Sequence, residues 1–325
     1  MKKRTKVWLI AAASLILVGC ILFVGVMSVL KWDFKKLSTR QYETNTHVVT
    51  DSFRHISIAA DTADICFEPT EDDTISVVCY EDVAFSHSVT VENDTLVIKA
   101  EKAQQWYHYI GIGFEDTTIT IYLPAGEYGD LTIQTSTGDV YLPMDYTFVN
   151  MDIRVSTGDV SSFAGVVGDA KIHTTTGDVN LKAFQAASLD VSVSTGDISV
   201  KNVDAENIRL SVTTGKTAVS GVNCHNFTSK GTTGDLHMRD VLATGAFSIK
   251  RTTGDVNFDS CDAETMQVTT DTGDVLGTLR TQKTFVANTS TGSVRLPHMA
   301  PSGGVCELTT TTGNIHITLE ESAYE

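Results

Sequence analysis

Seven aspartates occupy the same place in a recurring Thr-Gly-Asp triplet: Asp139, Asp159, Asp178, Asp197, Asp235, Asp255 and Asp274. Carboxylates repeated at a fixed interval can gather cations, supply the acid and base of a glycan-cleaving site, or satisfy main-chain amides at a turn. Calcium takes roughly six to eight oxygens. One Asp and a few hydroxyls per repeat is a sparse set, so the seven are weak cation candidates. A cleavage site needs carboxylates at chosen separations, with a neighbour that shifts one pKa. These aspartates follow the repeat instead, which points to a structural role in the turn. No catalytic and no cofactor-binding residue is assigned, and no cofactor is expected. In an outward row about 4.8 Å apart, neighbouring carboxylates would repel by roughly 1 kcal/mol in water. Lys216, which stands where an eighth Asp would fall, relieves two such contacts.

The element that positions the aspartates is the repeat itself. Ten Thr-Gly pairs have their glycines at Gly138, Gly158, Gly177, Gly196, Gly215, Gly234, Gly254, Gly273, Gly292 and Gly313. Apolar residues recur at seven and five positions before the glycine (Met151 and Ile153, Ile208 and Leu210) and at two and four after it (Val179 and Leu181, Ile198 and Val200). Period-two alternation with many β-branched residues describes two short strands per repeat. Glycine supplies the positive φ of a sharp corner, and Thr and Asp beside it suit a turn. A further bend is expected near the apolar position seven residues after the glycine, occupied by Phe184, Val203, Val222 and Val241. A unit this short cannot bury its own apolar face and must stack. The predicted fold is all-β: a single-stranded, β-helix-like β-solenoid with coils of 19–20 residues, ten of which span about 48 Å.

Ala63-Asp64-Ile65-Cys66-Phe67 is a degenerate copy with Ala in the glycine slot, and Ile56 and Ile58 hold the upstream apolar positions. Residues 51–130 therefore read as an N-terminal cap of irregular coils, 131–320 as the regular solenoid, and 321–325 as a tail. Asn93-Asp94 marks a hairpin in the cap. The aromatic run Trp106–Phe114 is expected to plug the apolar end of the stack.

Val7 to Leu30 carries no charge. At 1.5 Å per residue these residues make a helix of about 36 Å, enough to cross a bilayer. The predicted order is a cytoplasmic tail (1–6), a transmembrane anchor (7–30) and a polar stalk (31–50), with the solenoid on the extracellular side of a single-pass membrane protein. Leu17-Val18-Gly19-Cys20 also has the form of a lipoprotein cleavage box, which makes Cys20 a lipidation candidate. Against it, Ile21 to Leu30 stays apolar where a lipidated Cys is followed by a polar tether.

The first 40 residues hold eight of the 24 basic groups and one of the 40 acidic ones; the remaining 16 and 39 give a net of −23. That surface excludes nucleic acid as a partner. Cys66, Cys79, Cys224, Cys261 and Cys306 are odd in number and irregular in spacing, so they form no disulfide framework and show no zinc spacing. Cys261 and Cys306 fall on apolar slots of the repeat.

The runs Ser136–Val140, Ser156–Val160, Thr175–Val179, Ser194–Ile198 and Thr252–Val256, behind an N-terminal anchor and the Ile121-Tyr122-Leu123-Pro124 segment, resemble a bacterial family of candidate adhesins. Those proteins carry a TGDV-repeat β-solenoid domain of unknown function and include Lia-operon-type envelope proteins. The resemblance implies a surface location, an adhesion-like or envelope-associated role, and no catalytic residues. The leading expectation is a non-enzymatic protein presenting a long β face to a cell-envelope polymer, a glycan or a surface protein. Two alternatives stay open: an envelope-stress sensing accessory, and a β-helix polysaccharide lyase or hydrolase.

Overall fold

Each repeat folds as two strands on either side of its glycine, as the alternation requires: Met151–Thr157 then Val160–Ser162, Gln185–Thr195 then Ile198–Lys201. The computed structural model describes residues 3–71, 74–101, 113, 115–183, 185–298 and 303–320. Every pairing from one regular coil to the next is parallel and keeps equivalent residues together. Thr157 lies between Thr137 and Thr176, and Val179 between Val160 and Ile198. After Gly215, Gly234 and Gly254 the strand following the glycine runs on into the strand before the next, as Thr217–Thr233, Leu236–Thr253 and Val256–Thr272. The first coils add a third face, a separate parallel sheet of Gly126–Tyr128, Tyr146–Phe148 and Gly165–Val166. The result is a parallel β-solenoid.

The predicted apolar slots form the core. Val140, Val160, Val179, Ile198 and Leu236 are buried, as are Ile153, Val191 and Leu210. Each such side chain contributes about 1.5–3 kcal/mol by leaving water. A second corner lies six residues after the glycine, where Ala183, Asn202, Gly221, Asp240 and Ser260 all have left-handed φ between 50° and 62°. The bend thus falls beside the apolar position, one residue before it, and Val203, Val222 and Val241 follow it into the core. Phe184 lies outside the described residues, as does the run 106–112 with Phe114.

Both ends depart from simple sequential stacking. The Ala63 copy packs directly on the Gly138 coil, with Ile56 opposite Leu131 and Ile65 opposite Val140. It is nevertheless not the first layer in space. Thr95–Ala100 and Thr118–Pro124 pair parallel to its outer side, and antiparallel strands cover them. Asn93 and Asp94, both at positive φ, turn the hairpin between His87–Glu92 and Thr95–Ala100. The segment expected to be a stalk contributes a strand of its own, Tyr42–Val49, antiparallel to Ile75–Asp82. At the other end the last two repeats exchange places. Val305–Thr312 of the Gly313 coil pairs with Met266–Thr272 on one side and with Thr284–Thr291 of the Gly292 coil on the other, so the Gly292 coil is outermost.

The N-terminal helix runs from Lys3 to Val29, and its stretch Thr5–Val29 is long and apolar enough to cross a membrane. Cys20 is exposed within it, and the helix continues unbroken past it.

Candidate binding surface along the Thr-Gly-Asp corner

At the corner, the peptide N–H of every repeat glycine but the outermost, Gly292, donates to the carbonyl of the Thr in the next coil, as Gly158 does to Thr176 at 2.9 Å. The residue two places on repeats the pattern, Val160 donating to Asp178 O at 2.8 Å. The N–H of the intervening Asp is left over, and a side chain takes it. Asp139 Oδ1 accepts from the N–H of Asp159 (2.8 Å), Asp159 from Asp178 (2.7 Å), Asp178 from Asp197 (2.7 Å) and Asp197 from Lys216 (2.6 Å). The ladder begins at the degenerate copy, where Asp64 Oδ1 accepts from Asp139. It resumes beyond Lys216 with Asp235 to Asp255 and Asp255 to Asp274. Asp therefore serves the neighbouring coil and not its own turn. A charged acceptor on a main-chain N–H makes the stronger kind of hydrogen bond.

The three departures from Asp now have positions. Lys216 cannot accept, and the ladder breaks above it. Asn314 receives the N–H of Ser293 on its amide oxygen at 3.0 Å. Ser293 itself sits in the outermost coil, with no further N–H to receive, so the slot needs no acceptor there.

The glycines meet two demands at once. All ten have φ between +124° and +153°. A Cβ at Gly196 would also fall on the carbonyl oxygen of Gly177, and the same clash with the preceding coil recurs along the row. Ala63 is tolerated because its backbone does not enter the left-handed region.

Threonine divides into two roles. Inward hydroxyls three before the glycine clasp the corner: Thr270 donates to Gly254 O at 3.2 Å and Thr310 to Gly273 O at 3.0 Å. The Thr beside the glycine contributes its carbonyl to the ladder, but its hydroxyl stays free. In all ten coils, from Thr137 to Thr312, it is exposed and makes no side-chain hydrogen bond with the described residues. Next to it runs a second outward row: Ser136, Ser156, Thr175, Ser194, Thr213, Thr232 and Thr252. The face thus offers two hydroxyl rows in register, edged by carboxylates with one oxygen committed and one free. No three carboxylates of the ladder bring donor atoms together as a cation site would require.

Two features escaped sequence reasoning. Arg251 fills the inward slot three before Gly254 and is wholly buried, its Nη2 on Ser229 Oγ at 3.0 Å. Burial lowers its pKa to about 10, opposed by Asp235. Gly231 in the facing coil leaves the space, since a Cβ there would strike the guanidinium. In the cap, Cys79, Glu81 and His87 come together, all buried, with donor atoms mutually within 4.8 Å. The signal was a Cys-x-Glu pair on one strand face with His beyond the following turn. All six cysteines are free, and Cys261 and Cys306 pack in the core as their slots implied.

Stacked parallel coils joined by an in-register side-chain ladder define a repetitive β-solenoid with an accessory cap. The chain belongs to the Toastrack DUF4097 family, whose model matches residues 53–193 and again 182–325. The solved structures it resembles include an adhesin candidate from Bacteroides fragilis NCTC 9343, at 15% identity and TM-score 0.42, covering 86% of this chain and 97% of that one. A lipid-binding candidate from Parabacteroides distasonis ATCC 8503 aligns at 16% identity and TM-score 0.49, covering 74% and 97%. An adhesin candidate from Parabacteroides merdae ATCC 43184 gives 16% and 0.46 over 74% and 97%. No curated protein matches the chain.

Proposed function

We propose that this protein is a membrane-anchored, non-enzymatic display scaffold whose solenoid, on the extracellular side, binds a repetitive glycan polymer of the cell envelope through the hydroxyl face of its corner. The observation that carries this reading is the double row of unpartnered hydroxyls, held in register from the Gly138 coil to the Gly254 coil. A polymer with its own repeat meets the same donors and acceptors at each coil. The net charge of the exposed part disfavours anionic partners. The apolar helix, long enough to cross a bilayer, supports anchoring. A non-enzymatic role is supported by the ladder, which commits one oxygen of each Asp to the main chain. The resemblance to Lia-operon-type proteins makes an accessory role in envelope-stress sensing the alternative.

The test is retention of the full chain, reconstituted in nanodiscs, by purified envelope polysaccharide. Retention is expected, and it should fall at least about tenfold, or about 1.4 kcal/mol, in the triple variant Thr176→Lys, Thr195→Lys, Thr214→Lys. Polymer cleavage that Asp178→Ala or Asp197→Ala abolishes would replace this reading with an enzymatic one.

A further inference from the structure

The cap holds a polar cluster that neither the repeat nor the corner face uses. Cys79 and Glu81 are alternate residues of Ile75–Asp82, so both point to the same, inner side of that strand. His87 opens the next strand, His87–Glu92. Glu81 and His87 side chains are 1% and 5% exposed, and Cys79 is fully buried. Glu81 Oε2 accepts from the His87 main-chain N–H at 2.8 Å and lies 2.6 Å from His87 Nδ1, while Asn45 Nδ2 donates to Glu81 Oε1 at 2.9 Å. His87 Nε2 is buried and has no partner among the described residues. A buried ring nitrogen without a partner costs free energy comparable to a lost hydrogen bond.

We propose that Cys79, Glu81 and His87 form a binding site for a divalent metal of the zinc class, which ties the two antiparallel strand groups of the cap together. Three atoms mutually within 4.8 Å share a centre no more than about 2.8 Å from each, so shifts of under about 1 Å bring them to zinc–ligand distances. Thiolate, imidazole and carboxylate together suit zinc and its neighbours; calcium and magnesium take oxygens alone. A dication with one thiolate and one carboxylate is neutral, which a buried site requires. Three protein ligands leave a fourth position for water. Asp82 is not that ligand: it is held by Arg40 Nη1 at 3.0 Å and by the N–H of Ala84 at 2.9 Å. Binding replaces the Cys79 S–H bond with an S–metal bond and releases the proton to buffer. The metal would join Ile75–Asp82, which pairs with Thr118–Pro124, to His87–Glu92, which pairs with Thr95–Ala100.

The test is titration of the detergent-solubilised full chain, stripped with chelator, using Co2+ as the spectroscopic probe and Zn2+ as competitor. The expected result is one Co2+ per chain with a thiolate-to-cobalt charge-transfer band and intense tetrahedral bands, both lost on adding one equivalent of Zn2+. Cys79→Ser should remove the charge-transfer band, and His87→Gln should weaken Co2+ binding at least about tenfold. Cys66→Ser, outside the cluster, should leave the spectrum unchanged. Absence of stoichiometric binding, Co2+ bound without a charge-transfer band, or a band that survives Cys79→Ser would each overturn the proposal and leave a buried Glu81–His87 pair beside an inert thiol. The wild-type spectrum separates these outcomes from the expected one even if a variant fails to fold.

Discussion

Residue by residue, the Thr-Gly-Asp triplet divides its labour between chain direction and inter-coil bonding. Glycine is required by its φ and by the carbonyl of the preceding coil. Gly196→Ala is therefore expected to destabilise the solenoid by about 3 kcal/mol or more, read from denaturant unfolding. Aspartate is required only as an acceptor for the next coil's N–H. Asp178→Ala should cost about 1 kcal/mol and Asp178→Asn much less, because Asn314 already does the same task with an amide oxygen. Conversely, Lys216→Asn should restore the broken ladder and stabilise by about 0.5–1 kcal/mol. Equal costs for Asp178→Ala and Asp178→Asn would show that charge, not acceptance, is what the row supplies. The ten glycines, and the apolar slots around them, were legible because one residue type at one spacing admits one explanation. The partner of each Asp was not legible. A turn carboxylate can bond within its own loop or across coils, and only the register decides.

For the strands, the alternation marked where each one runs but not the order in which the last coils stack. The repeats at Gly273, Gly292 and Gly313 have nearly the same pattern of apolar slots, so several parallel pairings would bury the same side chains. Ser293 was the one sign that its coil ends the ladder. The exchange places Leu308 in an interior coil, where it is fully buried, and its counterpart Ala287 on the outer one, where it is only half-buried. Leu308→Ala should cost about 2–4 kcal/mol, the same as is expected for Leu210→Ala in mid-solenoid. If stacking followed chain order, Leu308→Ala would behave as an end substitution and cost far less than Leu210→Ala. The strand Tyr42–Val49 was hidden for another reason. Glu43, Thr44, Asn45, Thr46 and His47 carry too little apolar alternation to signal a strand, and its place is fixed by the edge of Ile75–Asp82. The cluster at Cys79 was hidden because it forms across a turn, with none of the ligand spacings that sequence alone signals.

For the whole molecule, stability and display are separate questions. Burial raises the thiols of Cys79, Cys224 and Cys306 to about 12 and that of Cys261 to about 11, from 9.0. A raised folded-state pKa favours the protonated form, so this contribution is intact below pH 9, where the unfolded thiols are also protonated. It is lost as pH rises from about 9 through the folded values, at about 1.4 kcal/mol per pH unit for each thiol. Denaturant midpoints should therefore fall across pH 9–11 in metal-free protein, and less steeply in Cys224→Ala. The proposed role rests on the solenoid facing outward. The direct measurement is labelling of intact cells with a membrane-impermeant amine reagent, followed by peptide mapping. Lys171, Lys182, Lys230 and Lys250 are exposed on the solenoid. They are expected to react on intact cells, while Lys6 reacts only after lysis. Labelling of Lys6 with the four solenoid lysines silent until lysis would place the solenoid inside and contradict the account.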